Sequence, residues 1–196
     1  RLALNDLVNE AVKHARSGAA VLILTDRGVD EAHAAIPSML ATAAVHHQLV
    51  RLGLRTRTDL VIETGEARSP HHFACLLGYG AIAVAPYLAV ASVVKLVEAG
   101  DLVGQTAIES PVQNFVKGIT KGLLKIMSKM GITTLQSYCG AQIFEAIGVS
   151  KQLIEDFFPD THSLLSGLTF DDLARETIQR HAAAFNRATA AEALPL

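Results

Sequence analysis

Amide, hydroxyl, phenol and thiol groups crowd into one short stretch, Leu135-Gln136-Ser137-Tyr138-Cys139-Gly140. Beside a glycine that lets backbone approach closely, such groups suit the donor and acceptor edge of a flat heteroaromatic ligand. An ordinary polar strand end would carry the same residues. Cys139 has no cationic neighbour and no nearby histidine in sequence, so an activated nucleophile is not expected there. Thr25-Asp26-Arg27-Gly28 and Glu63-Thr64-Gly65-Glu66 each follow an apolar run of strand length. That places both at the C-terminal edge of a parallel sheet, where open α/β folds hold their ligands. The plainer reading is favoured: Asp26 or Glu63 pairs with Arg27, Arg55 or Arg68 and fixes the loops.

Paired histidines, His46-His47 and His71-His72, with Glu63 and Glu66 nearby, are of the types that hold zinc. Adjacent residues on a helix point in different directions, so at most one of each pair can reach a common site. A packing role is expected for them, and no metal ligands are assigned. Lys117, Lys121, Lys125 and Lys129 recur every four residues and stack along one helical face. Such a face is usually solvated, or it docks an acidic partner. Gly78-Tyr79-Gly80-Ala81 lacks the spacing of a dinucleotide fingerprint and precedes a strand, so it reads as a helix-to-strand turn.

These groups need a scaffold, and the first hundred residues predict one. Apolar spacing gives a helix over residues 2–16, and a continuous apolar run gives a strand over 20–24. A helix follows from Ser38 to about Leu52, then a strand over 59–63, a helix from Ser69-Pro70 to Gly78 and a strand over 81–84. Short apolar strands alternating with helices argue for a parallel sheet covered on both faces. Pro86 starts a helix to roughly Ala99, and Gly100-Asp101-Leu102-Val103-Gly104 interrupts the pattern. Ser110-Pro111 opens a long helix to about Met130. Beyond it, the β-branched segment 132–138 reads as a strand and 140–147 as a helix or turn. Ser150 heads a helix to Phe158, and Thr169 with Asp171 and Asp172 launches the last helix to about Ala184, with the tail beyond Asn186 expected to fray.

With 196 residues, half of them hydrophobic, the chain can fill a sizeable core. A formal charge of -2, with both signs interleaved, gives no footprint for nucleic acid or an anionic membrane. The most apolar stretch, 81–99, is interrupted by Pro86 and Lys95, so no bilayer-spanning helix is expected. Two distant cysteines in apolar surroundings read as reduced core thiols. The first residues show no signal peptide, and a start within a longer protein is expected.

The string KGLLKIMSKMGITTLQSYCGAQIFEA, residues 121–146, closely resembles the opening of the FMN-binding domain of glutamate synthases. The earlier strings LILTDRGVDEAHAAIPSMLATAAVHHQLVRLGLRTRTDLVIETGEAR and HHFACLLGYGA are similar to that family's central domain. The chain departs from the family pattern at Ala85, where asparagine is expected, and over 158–167, where a loop containing Gly-Thr is more usual.

By this resemblance the fold class is α/β. A parallel βαβ central-domain segment, 1–105, would be followed over 106–196 by the first βα unit or units of a (β/α)8 FMN-binding barrel. Such a barrel needs about 250 residues, so no intact FMN pocket is expected in this chain. The intact enzyme makes L-glutamate from L-glutamine and 2-oxoglutarate by reductive amination at FMN, and it carries an iron-sulfur cluster. The resemblance puts Gln136, Ser137 and Tyr138 at the cofactor edge and gives Gln142 and Glu145 a part in the ammonia route or in domain coupling. It assigns no catalytic residue here. Implied partners are the remaining domains of the same polypeptide and either ferredoxin or an NADPH-dependent small subunit, in a bacterial cytoplasm or plastid stroma. The segment alone is expected to be inactive and to bind no cofactor tightly. The competing expectation is a stand-alone, non-catalytic α/β interaction module.

Overall fold

The computed structural model describes residues 1–102 and 108–186. The domain boundary expected at 105–106, like the tail beyond Asn186, lies outside them.

The first half forms as its apolar pattern dictates. Helix α1 (Leu2–Arg16) leads into strand β1 (Val21–Thr25), and α2 (Ser38–Arg51) connects to β2 (Asp59–Glu63). Helix α3 (Pro70–Gly78), with proline in its first turn, returns to β3 (Ala83–Ala85). The three strands pair in the order β1-β2-β3, all parallel, with Leu22 beside Leu60 and Ile62 beside Val84. The α/β class with a parallel sheet is therefore present.

Packing ties the sheet to the helices on both sides of it in sequence. Leu22 and Leu60 meet Ala11 and Ala15 of α1 and Val45 and Leu49 of α2. Ile62 lies in a second cluster with Phe73, Ala74 and Leu77 of α3. That cluster continues into Tyr138 and into two residues, Ile119 and Met127, of a long helix (Glu109–Lys129), which is α5 in chain order after α4 (Tyr87–Glu98). Helix α4 buries none of its residues and lies against α5. The contact of α3 with α5 depends on Gly122, where a Cβ would come within 2.6 Å of the Pro70 ring.

The remainder differs from the sequence expectation in three places. Residues 132–138 do not form a strand. Thr134, itself extended, accepts a hydrogen bond from the Ser137 N–H and starts the single turn α6 (Leu135–Tyr138). The hydroxyl competes for a backbone donor that a strand would need for its ladder. The helix or turn expected over 140–147 is a turn only at its start, where the Ala141 N–H donates to the Tyr138 carbonyl and the Ile143 N–H to the Ala141 carbonyl, and it gives way to β4 (Glu145–Val149). After α7 (Lys151–Phe157), capped by Ser150, the region expected as a loop contains β5 (His162–Leu168). Strands β4 and β5 pair in parallel with an irregular register. The last described helix is α8 (Phe170–Phe185), held at its start by a capping box between Thr169 and Asp172. Among the described residues no helix is long and apolar enough to cross a membrane.

Candidate functional site

Three polar regions were anticipated from the sequence, and two of them sit against the same sheet. At its C-terminal edge the β1 and β2 loops interlock. The Asp26 carboxylate accepts from the Thr64 hydroxyl at 2.6 Å and from the Gly65 N–H at 3.0 Å. Glu63 accepts from the Thr25 hydroxyl at 2.7 Å and from Arg27 Nε at 2.6 Å. These bonds, the Thr25 hydroxyl foremost, hold the Glu63 carboxyl below its ordinary range. Glu66 accepts from both the N–H and the hydroxyl of Ser38, placing a carboxylate at the start of α2, where the helix dipole favours it. The Arg27 guanidinium lies 4.2 Å from the centre of the Tyr87 ring. Desolvation and the neighbouring Asp26 push that phenol up to about 12. Asp26, Glu63 and Glu66 are thus each committed to a partner within the chain, which is what fixing the loops requires. A cavity of about 240 Å³ opens beside them, between Leu7, Leu24, Val29, Ile36 and Ile62.

The second region is built around His46. Burial pushes its imidazole down to about 4, helped by His47 and Arg55, so the ring is neutral at pH 7. Arg55 donates to His46 Nδ1 at 3.1 Å, to the Thr58 carbonyl at 2.7 Å and to the Gly80 carbonyl at 2.8 Å. Gly80 has φ +118, and a Cβ there would come within 2.2 Å of His46 Nδ1. This is the packing role expected for His46. His47 Nε2 is buried without a hydrogen-bond partner and borders a second cavity of about 240 Å³, shared with Tyr79, Gln142, Asp160 and Thr161. The Tyr79 hydroxyl lies 2.6 Å from that of Thr161. His71 and His72 face elsewhere: one lies 3.5 Å from the Cys75 sulfur, and the other accepts from the Arg68 N–H. No group of three or more His, Cys, Asp or Glu positioned for a metal occurs among the described residues.

The third region is the Gln136-Ser137-Tyr138 turn. Gln136 and Ser137 are exposed, whereas Tyr138 is wholly buried in the α3–α5 core. Its phenol donates to the Ala74 carbonyl at 3.2 Å, and desolvation pushes it up to about 12. Gln142 is exposed in the turn that follows, and Glu145 opens β4 opposite His162.

Of these side chains, Gln136 and Ser137 have the exposure and the donors that a flavin edge asks for, and Tyr138 does not. An iron-sulfur cluster does not fit. The thiols of Cys75 and Cys139 are both pushed up by burial, Cys75 to about 11. Neither is poised as a thiolate. Sequence reasoning missed Arg55 as the tie between α2, β2 and the Gly80 turn, and it missed the Tyr79–Thr161 contact. The only signal for the first was Gly80, a glycine at a helix-to-strand turn.

Residues 1–150 match the family described as glutamate synthase central domain. The match runs past the boundary expected at 105–106. Over 93% of its length the chain is 44% identical to the glutamate synthase [NADPH] large chain of Bacillus subtilis. It is 43% identical, over 95% of its length, to the chloroplastic ferredoxin-dependent glutamate synthase of Spinacia oleracea. It is also 43% identical, over 91%, to the glutamate synthase [NADH] of Schizosaccharomyces pombe. The chain spans 12% of the first two and 8% of the third.

Proposed function

The chain belongs to the glutamate synthase family, carrying its central domain, and on that premise we propose that it serves as an internal segment of an enzyme that makes L-glutamate from L-glutamine and 2-oxoglutarate by reductive amination. The observation that carries this reading is identity above 40% across nearly the whole segment to large chains of that enzyme.

FMN, when bound, supplies the reducing equivalents. Within this segment the exposed Gln136 amide and Ser137 hydroxyl face the cofactor edge. Tyr138 acts as a positioning residue, its buried ring and its bond to Ala74 anchoring the turn on α3. Gln142, in the turn before β4, and Glu145, at the start of β4, belong to the ammonia route or to the coupling between domains. The β4–α7–β5 unit straddles the end of the central-domain match at residue 150 and leads into the FMN-binding barrel. What supports this is a two-stranded parallel sheet whose Ile147 and Leu165 stand exposed, since parallel strands are stable only within larger, covered sheets. The iron-sulfur cluster is held outside this segment. The donor, ferredoxin or an NADPH-dependent small subunit, is also selected outside it, because relatives named for three different donors match these residues equally well. The setting is a bacterial cytoplasm or a plastid stroma.

The test uses the longer polypeptide that carries these residues. It should purify with about one FMN per chain and form glutamate from glutamine, 2-oxoglutarate and a reduced donor. Gln136→Ala combined with Ser137→Ala should lower flavin content with little change in melting temperature. A colourless polypeptide that makes no glutamate would sink the proposal.

A further inference from the structure

The β1-β2-β3 sheet has one covered face and one bare face. Leu22, Leu60 and Ile62 are 9%, 0% and 1% exposed, packed under the helices. The alternate side chains fall on the opposite face, and the register sets Ile23, Val61 and Ala83 side by side in a row across all three strands. Val21 is 50% exposed and Ile23 63%, and Ala83 and Ala85 are exposed as well.

This is an anomaly for a parallel sheet, since such sheets occur almost only with both faces covered. The winding explains why the chain leaves it so. Strands added in the single direction β1-β2-β3 through right-handed crossovers put every connecting helix on the same side. The packing agrees: α1 and α2 meet Leu22 and Leu60, and α3 and α5 meet Ile62. No described element remains to cover the other face.

The bare face also has the dimensions of a helix seat. Five residues of strand run about 16 Å, and three strands span about 10 Å from first to last. An α-helix of three turns is about 16 Å long and about 10 Å wide. Charged groups bracket the strip, with Arg55 and Asp59 at one end and Arg27 and Glu63 at the other. In the Bacillus subtilis large chain most of the polypeptide lies outside the matched residues, the chain spanning only 12% of it.

We propose that the face formed by Val21, Ile23, Val61 and Ala83 is an internal docking surface, covered by an apolar helix from the rest of the same polypeptide. A second copy of this chain is a poorer occupant, because it would stack one parallel sheet directly on another, whereas parallel sheets are covered by helices. The inference rests on family membership and not on the reading of the FMN edge.

The experiment compares thiol labelling of Ile23→Cys in the longer polypeptide and in the 196-residue chain, resolved by peptide mass so that Cys75 and Cys139 do not interfere. In the short chain the new thiol should react freely. In the long one it should react about 100-fold more slowly, because labelling then waits for local opening. Equal reactivity in both overturns the proposal. So does protection in the short chain that grows with its concentration, which would mean that a second copy occupies the face. Should the long variant fail to fold, hydroxyl-radical footprinting of wild-type Val21 and Ile23 reads the same difference. Flavin content is measured on the same preparation. A colourless polypeptide with Ile23 protected would therefore fail the FMN reading alone.

Discussion

Acidification from pH 7.5 to 4.5 should destabilise this chain through His46, and replacing that histidine should remove the effect. The ring is 9% exposed and has Arg55 on its Nδ1, His47 at 5.0 Å between ring centres and the Gly80 turn against its edge. Burial first, then His47 and Arg55, push its titration from 6.5 to about 4. At about 1.4 kcal/mol per pH unit the displacement corresponds to at most about 3 kcal/mol, and screening by nearby solvent reduces this to about 2 kcal/mol. Unfolded chains take up the proton near 6.5 and the folded chain only near 4, so between these values the unfolded state binds more protons. Stability is therefore fully present above pH 6.5 and falls as pH drops through that window. Urea unfolding followed by far-UV circular dichroism at pH 7.5, 6.5, 5.5 and 4.5 gives the profile. His46→Gln keeps an acceptor for Arg55 but does not titrate. Relative to wild type its profile should be flatter by about 2 kcal/mol over the same range. Carboxylates titrate equally in both chains and cancel in the difference. Parallel profiles for the two chains would show that His46 is not a buried neutral ring held by Arg55.

Two further substitutions test the packing around the candidate sites. Gly80→Ala combines a backbone at φ +118 with a Cβ 2.2 Å from His46 Nδ1. It should cost about 3 kcal/mol or more, a fall in melting temperature of roughly 6–12 °C by calorimetry. Tyr138→Phe removes only the bond to the Ala74 carbonyl and should cost about 1 kcal/mol in urea unfolding. In the longer polypeptide it should leave flavin content unchanged. Loss of flavin without loss of stability would instead put the phenol on the cofactor.

The first half of the fold was legible because buried parallel strands advertise themselves. The run over 59–63 reads as a strand, and β2 is Asp59–Glu63. Likewise the helix expected from Ser38 is α2, ending one residue before Leu52. In these places local propensity and burial agree: apolar runs of strand length sit between Gly and Pro stops, so one sequence window holds the whole signal. The ion pair of Arg27 with Glu63 was legible for the same reason, since Glu63 ends β2 beside the end of β1 and Arg27 lies just past it.

After the long helix that agreement fails. Ile132, Thr133 and Thr134 carry β-branched side chains, yet Thr134 spends its hydroxyl on capping a turn, a choice that composition does not distinguish from a strand. Strands β4 and β5 carry Gly148 and Gly167 in their interiors, and much of their apolar surface is exposed, including Leu164 at 75%. On the proposed reading, in which further strands would flank β4 and β5, neither strand has reason to show the continuous apolar run of a buried one. The bonds that build the His46 site have the same character, because Arg55 reaches Gly80 across 25 residues and Tyr79 reaches Thr161 across 82. What the sequence hid is therefore of two kinds: pairings closed over long separations within the chain, and surfaces that, on the proposed reading, residues of a longer polypeptide would cover. Only the second kind should change in such a longer polypeptide. The His46 pH profile should therefore carry over to the longer protein, while the accessibility of Ile23 should not.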